Sequence, residues 1–374
     1  MPQNKIKVLH IASGDLWAGA EVQLFTLVKA LQNQGISVTV ALMNNGKLQE
    51  NLEKNKFNVI VLDESKLNSF QILLRLIRLI KNLKPDVVHT HRTKENILGS
   101  IAAMLLGIPS MRTVHGAPEH VFSWFTKPYQ KMYSLLDKLA ANYVQKRIVA
   151  VSEDLKLKLS KIFRDSKLLV IENGIDLQYF EKYSSITTNP CSHNSVKIGF
   201  VGRLVPVKRA DIFIQIASYL RQNYNTKQLQ FHIYGDGPLR PKLEKMAAEF
   251  NVSDIVHFEG QIEDVIPQIA TLDVLLITSD HEGLPMTLLE AMLLKIPVVA
   301  HAIGGIANAS SNGQGAWLVN DNTVQNMSNT LINCISADKP RNEKIKFALQ
   351  NVQNNYSSDT SATAYINVYQ SLIC

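Results

Sequence analysis

Cysteine is scarce in this chain: Cys191, Cys334 and Cys374 are odd in number and far apart. That fits neither a disulfide scaffold nor a zinc site and favours a reduced, cytoplasmic setting. No apolar run approaches the roughly 18 residues that a bilayer-spanning helix needs. The longest candidate, 97–109, is broken by polar residues. The opening MPQNKIKVLHIA runs straight into a strand with no signal-like segment before it. Asp-x-Asp occurs nowhere. Basic residues are not interleaved with aromatics, and neither zinc-finger spacing nor a recognition-helix signature is present, so nucleic acid is not an expected partner.

What the chain has is apolar content, 46% of 374 residues, enough for two domains with full cores. It also has lopsided charge. Residues 1–190 hold 25 Lys+Arg against 16 Asp+Glu, and the remainder hold 14 against 16, for +7 overall. A basic first half suggests a surface that meets something acidic, and an anionic membrane leaflet suits it better than nucleic acid. The amphipathic stretch 70–83, FQILLRLIRLIKNL, carries Arg75, Arg78 and Lys81 on its polar side. Its apolar face can pack on the domain or dock on a membrane. The segment 124–147, from Trp124 on, reads as one or two helices with Lys127, Lys131, Lys138, Lys146 and Arg147 along it.

Short apolar runs predict strands at 5–12, 38–42, 58–61, 86–89, 110–114, 148–151 and 168–171, with helices between them. A polar, proline-containing linker follows at 183–194, and the pattern restarts with strands at 196–201, 229–234, 256–258, 274–277 and 296–300. Each half opens with a strand and a glycine-bearing loop. The expected fold is α/β, with two Rossmann-like domains facing each other across a crevice. The domains are 1–182 and 195–350, followed by a helical tail, 351–374, able to cross back to the first. Low apolar content after residue 323 predicts that this end wraps the outside.

The segment 273–300, DVLLITSDHEGLPMTLLEAMLLKIPVVA, organises the second half as strand, turn, helix and strand. Pro285 sits where it can start the helix without losing a needed N–H. Glu282 lies in the turn and Glu290 in the helix, where a side chain leans back toward the N-terminus. Backbone N–H groups around Gly283, Leu284 and Met286 offer a phosphate seat. Carboxylates beside an anion-binding helix end suit a ligand that is part sugar and part phosphate. The alternative is a solvated loop glutamate and a surface helix glutamate. Arg203 and Lys208 follow a strand end and could hold a pyrophosphate, one as a fork and one as a point charge, or serve solubility. In the first half, the loop 13–21 matches neither G-x-G-x-x-G nor a Walker motif, and Gly19 is either a close approach to a ligand or a plain turn. His89, His91 and His115 follow predicted strand ends, where open sheets place ligands. His89 and His91 lie two apart with no matching carboxylate or cysteine, which does not make a metal site. His115, beside Gly116, can reach a substrate hydroxyl or simply pack.

Together, Gly202-Arg203 with Lys208, Gly235-Asp236-Gly237-Pro238 and Glu282-Gly283-Leu284-Pro285 through Glu290-Ala291 resemble glycosyltransferase family 4, the retaining, nucleotide-sugar-dependent enzymes of the GT-B fold. Gly19-Ala20-Glu21, Thr113-Val114-His115-Gly116 and Asn173-Gly174-Ile175-Asp176 agree, and the resemblance covers about residues 5–310. It implies that Arg203 and Lys208 hold the donor diphosphate, Glu290 the ribose hydroxyls, and Gly283 and Leu284 the phosphate. Glu282 is implied to contact the donor sugar near the reacting centre, with His115 also near that sugar and Gly19 close to the donor. Ala18 departs from the family's usual Gly-Gly pair, leaving Gly19 alone. The resemblance implies no metal and no cofactor, a UDP- or GDP-sugar donor, and a glycan or lipid-linked acceptor in cell-surface polysaccharide or lipopolysaccharide biosynthesis. Peripheral contact with the inner face of the cytoplasmic membrane follows from the basic half. Two alternatives are a non-hydrolysing nucleotide-sugar epimerase, which needs no acceptor, and a non-catalytic binding module.

Overall fold

The structure, a computed structural model, describes residues 5–15, 17–116, 128–183, 195–224 and 228–373. The expected linker beyond Tyr183, and Trp124 and Lys127, lie outside these residues. The chain packs as two compact units, Met1–Gly174 with Ser358–Cys374, and Ile175–Ser357.

The first unit is built on a parallel sheet of β1 (Lys7–Ala12), β2 (Ser37–Leu42), β3 (Asn58–Val61), β4 (Val87–Thr90), β5 (Ser110–Val114), β6 (Arg147–Ala150) and β7 (Leu168–Val170). Their spatial order is β3-β2-β1-β4-β5-β6-β7. Only Lys7 of β1 is exposed, and all of β4 is buried, as expected of strands covered on both faces. Alternation divides the side chains between two cores. Val8 joins Leu27, Leu31, Tyr365 and Tyr369 on one face, while Leu9 and Ile11 join Ile72, Leu76, Ile80 and Ala102 on the other.

The helix Ser69–Leu83 begins at Asn68, whose side chain accepts the Gln71 N–H while the Gln71 side chain accepts that of Asn68. Ile72, Leu76 and Ile80, four residues apart, are fully buried, so the apolar stripe packs on the sheet and leaves Arg75, Arg78 and Lys81 exposed. The chain's end does not simply wrap the outside. Tyr365 and Tyr369 of the helix Ser358–Ile373 are wholly buried in the first unit's core. Their spacing of four puts both on one helical face, a stripe that low overall apolar content concealed.

The second unit has a parallel sheet of β8 (Ser195–Val201), β9 (Gln228–Tyr234), β10 (Val256–Gly260), β11 (Val274–Ile277), β12 (Val298–His301) and β13 (Trp317–Val319), in the order β10-β9-β8-β11-β12-β13. Phe213 bridges Phe200 and Phe231 at ring distances of 5.7 and 5.4 Å in its core, contacts worth about 0.5–1.5 kcal/mol each beyond simple burial. In both sheets the strand order reverses beside the first strand, between β1 and β4 and between β8 and β11. These are the switch points where open parallel sheets hold ligands.

Candidate functional site

The candidate residues of the second unit lie on loops at the C-terminal ends of β8 and β11 and, for Glu290, in the helix that follows β11. After β8, Gly202 and Arg203 lead to the turn Pro206–Lys208, and Arg209, in the left-handed region at φ 52°, starts the helix Ala210–Asn223. Thr278, following β11, donates its hydroxyl to the carbonyls of Lys208 and Arg209 at 3.1 and 3.0 Å. Arg209 pairs with Asp211 and Asp280. These bonds lock the two loops together and fix where Lys208 stands.

Lys208 Nζ lies 2.6 Å from Glu282 Oε1, and Ser279 Oγ donates to the same oxygen at 2.6 Å. Only 9% of the Glu282 side chain is exposed. Withdrawing a carboxylate from water is costly unless such partners meet it. Glu282 is therefore not a solvated loop residue.

Glycines bring a further loop onto this turn. A Cβ on Gly304, at φ 54°, would fall 2.0 Å from the Glu282 carbonyl oxygen, and the Gly305 N–H donates to the Gly283 carbonyl at 2.5 Å. Gly304 and Gly305 were missed in the sequence, although strand β12 followed by Gly-Gly repeats the strand–glycine–helix signal. Gly235 has the same kind of constraint, since a Cβ there would sit 2.0 Å from the Gly202 carbonyl oxygen. Thus the Gly-Asp-Gly-Pro turn has a packing reason: it seats the loop that carries Arg203.

Pro285 precedes the helix Met286–Leu293, and Glu290 is buried within it. Glu290 is not a surface helix residue. Burial first, and the nearby Asp264 carboxylate second, push its pKa up to about 7. Asp264 is held by the hydroxyls of Tyr179 and Tyr183 at 2.8 and 2.9 Å. Among the described residues no hydrogen bond to the Glu290 carboxylate offsets these two effects.

The other candidates, Gly19 and His115, belong to the first unit. Gly19 opens the helix Gly19–Asn33 without a left-handed φ, and a Cβ there would meet nothing within 4 Å. Neither a turn nor packing explains this glycine. Ala12, Ser13, Ala20, Glu21, Leu24, His91, Arg92 and His115 line a small pocket beside it. Glu21 accepts from Arg92 and from the Ala18 N–H, the latter at 3.2 Å.

His115 is bonded through Nε2 to His91 Nδ1 at 3.1 Å, and His91 Nε2 reaches His10 Nδ1 at 3.0 Å. His10 was missed: it sits inside β1, and only its pairing with His89 of β4 brings it to the group. His10, His89 and His91 present nitrogens within 4.8 Å of one another. Sequence spacing did not reveal that proximity. Both His89 nitrogens are already engaged, with Tyr369 Oη and Thr113 Oγ1 at 2.8 Å each.

Known proteins agree with this architecture. Residues 17–179 match the family profile Glycosyltransferase Family 4, and residues 195–337 match Glycosyl transferases group 1. An Escherichia coli UDP-Gal:alpha-D-GlcNAc-diphosphoundecaprenol alpha-1,3-galactosyltransferase is 28% identical over 95% of this chain and 94% of its own length. A putative glycosyltransferase of Bacillus subtilis, EpsF, is 25% identical over 99% and 97%. Among solved structures, Anabaena HepE in complex with UDP-glucose superposes with a TM-score of 0.83 at 20% identity, covering 98% of this chain and 100% of that one. With one profile matching each of two Rossmann-like units, the chain is a glycosyltransferase of the GT-B fold that matches Glycosyltransferase Family 4 in its first unit and Glycosyl transferases group 1 in its second.

Proposed function

We propose that this glycosyltransferase moves a hexosyl group from a UDP-sugar to a glycan or lipid-linked acceptor, with retention of configuration, in the assembly of a cell-surface polysaccharide. The observation that carries this reading is the loop cluster of the second unit. Two cations, Arg203 and Lys208, and a buried Glu290 sit on the strand-end loops and the following helix of one switch-point sheet. Arg203 and Lys208 are assigned to the diphosphate, with the backbone of Gly283 and Leu284, and Glu290 to the ribose diol. Glu282 is assigned to the donor sugar near the reacting centre, His115 to the same sugar and Gly19 to close approach by the donor. UDP is favoured because the E. coli relative's name and the HepE complex both carry it. The acceptor class follows the diphosphoundecaprenol in that relative's name.

In the transfer, the bond between the anomeric carbon and the β-phosphate oxygen breaks, and the acceptor oxygen bonds to the same carbon from the same face. The acceptor's proton passes to the departing phosphate. Charge growing on the leaving diphosphate meets Lys208, Arg203 and backbone N–H groups. Before the donor binds, Lys208 is held by Glu282, so it is already positioned.

We also assign the first unit a peripheral contact with an anionic membrane. Among the described residues no helix is long and apolar enough to cross one. The helix Pro128–Leu139 exposes Met132, Leu135, Leu136 and Leu139, Met104 and Leu105 are exposed on the neighbouring helix, and Lys131, Lys138 and Lys146 are exposed nearby. Apolar side chains ringed by lysines suit an interfacial site.

Purified protein incubated with a panel of nucleotide sugars tests the activity. UDP should be released from a UDP-hexose, faster with undecaprenyl-diphosphate glycans present, and undiminished by a metal chelator. Release from no nucleotide sugar, or release only with added magnesium or manganese, contradicts the reading.

A further inference from the structure

We propose that His10 and His91 are positioning residues, joined in a one-way row of hydrogen bonds that fixes His115 with its proton on Nδ1, as a donor to a ligand oxygen. The row is His10 Nδ1 to His91 Nε2 at 3.0 Å and His91 Nδ1 to His115 Nε2 at 3.1 Å. The rings are near-parallel, tilted by 16° and 22°. A neutral imidazole has one N–H and one lone pair, so a ring that accepts through one nitrogen must donate through the other. The three rings can therefore order their protons in only two ways.

Burial holds the rings neutral. The His10 pKa is lowered to about 3, that of His115 to about 4, and that of His91 well below its ordinary value. Each order leaves an unmatched N–H at one end of the row, on His10 Nε2 or on His115 Nδ1. Both atoms are buried without a partner among the described residues. The His10 end is sealed, with none of the residue exposed, whereas His115 borders the pocket lined by Ser13, Glu21 and Arg92. A buried N–H with no acceptor is costly, so the proton belongs at the end that borders the pocket, where a bound ligand would accept it. His10 then donates to His91, and His91 donates to His115.

His89 takes no part in the row but braces it. Its nitrogens are tied to Tyr369 and Thr113, and its ring lies 4.7 Å from that of His10 and 4.5 Å from that of His91. Thr113 in turn meets Tyr365 Oη at 2.8 Å. The helix Ser358–Ile373 thereby reaches the ligand pocket through two tyrosines and one histidine.

Only the functional half of this proposal rests on His115 serving the transferred sugar. Nitrogen-15 NMR of the full chain labelled at histidine reads the tautomer of each ring directly. His10, His91 and His115 should all carry the proton on Nδ1. His10→Asp puts an acceptor where the first donor stands, so His91 should turn its proton to Nε2 and His115 should switch to Nε2–H. It should also cut turnover by about ten-fold, the effect of roughly one hydrogen bond in the transition state. His10→Asn, whose amide keeps an N–H near the Nδ1 position, should restore most of it. Nε2–H on His115 in the wild type overturns the row, and needs no variant to fold. A His115 tautomer unmoved by His10→Asp, or moved with turnover unchanged, overturns the positioning role. A wild type inactive with every nucleotide sugar would defeat the proposed function, while the tautomers still decide the row.

Discussion

Glu290 carries opposing demands, and they predict opposite responses to one substitution. In the folded chain its pKa stands near 7 against an ordinary 4.5, mainly through burial. Between those values the folded state binds the proton more tightly than the unfolded chain does. The stability this lends is therefore complete below about pH 4.5 and is lost as pH rises through about 7. Glu290→Gln cannot ionise. At about pH 8 it should be more stable than the wild type by on the order of 1–3 kcal/mol, with the difference vanishing at about pH 4.5. The amide accepts hydrogen bonds less well than a carboxylate, so the same variant should bind UDP more weakly. Melting curves at the two pH values, with UDP calorimetry, check both signs. A variant no more stable at about pH 8 that keeps its full UDP affinity contradicts the assignment to the ribose diol.

At the scale of elements, the helix Pro128–Leu139 makes the membrane proposal specific. Leu135 is 58% exposed and Leu139 45%, so replacing both with glutamate removes little native packing. Vesicles rich in anionic lipid should sediment the wild type in a salt-sensitive way, with about 1 kcal/mol from each lysine near the surface. Leu135→Glu with Leu139→Glu should sharply reduce that binding while leaving the melting temperature close to the wild-type value. Equal binding by the variant and the wild type contradicts this face. The strands of both sheets were readable because parallel strands are continuous apolar runs, and the ends fell within two residues for nearly all of them. The strand β13 was not, since Trp317–Val319 has only three residues among Asn, Ser and Gly. Arg203, Lys208, Glu282 and Glu290 stood out because they follow strand ends in one motif, and the structure brings two of them, Lys208 and Glu282, into contact. His10 was hidden because a histidine within KVLHIA looks like a strand residue, and its meaning arises only when β1 pairs with β4. Likewise, the Lys208–Glu282 ion pair joins residues 74 positions apart, which no local pattern announces.

Across the whole molecule, the two units divide the chemistry. The first carries the net positive charge, the histidine row and the apolar face, and the second carries the loops proposed to hold the donor. The central claim is that a nucleoside diphosphate is gripped by the strand-end loops of the second unit, with cations from the chain itself. Calorimetric titration of UDP into the wild type and Arg203→Ala tests it most directly. The account predicts saturable binding in chelator, weakened about ten-fold or more in the variant, as expected for a charge-assisted contact of about 1.5–3 kcal/mol. UDP binding that needs an added divalent metal, or that is equal in the two proteins, would contradict it.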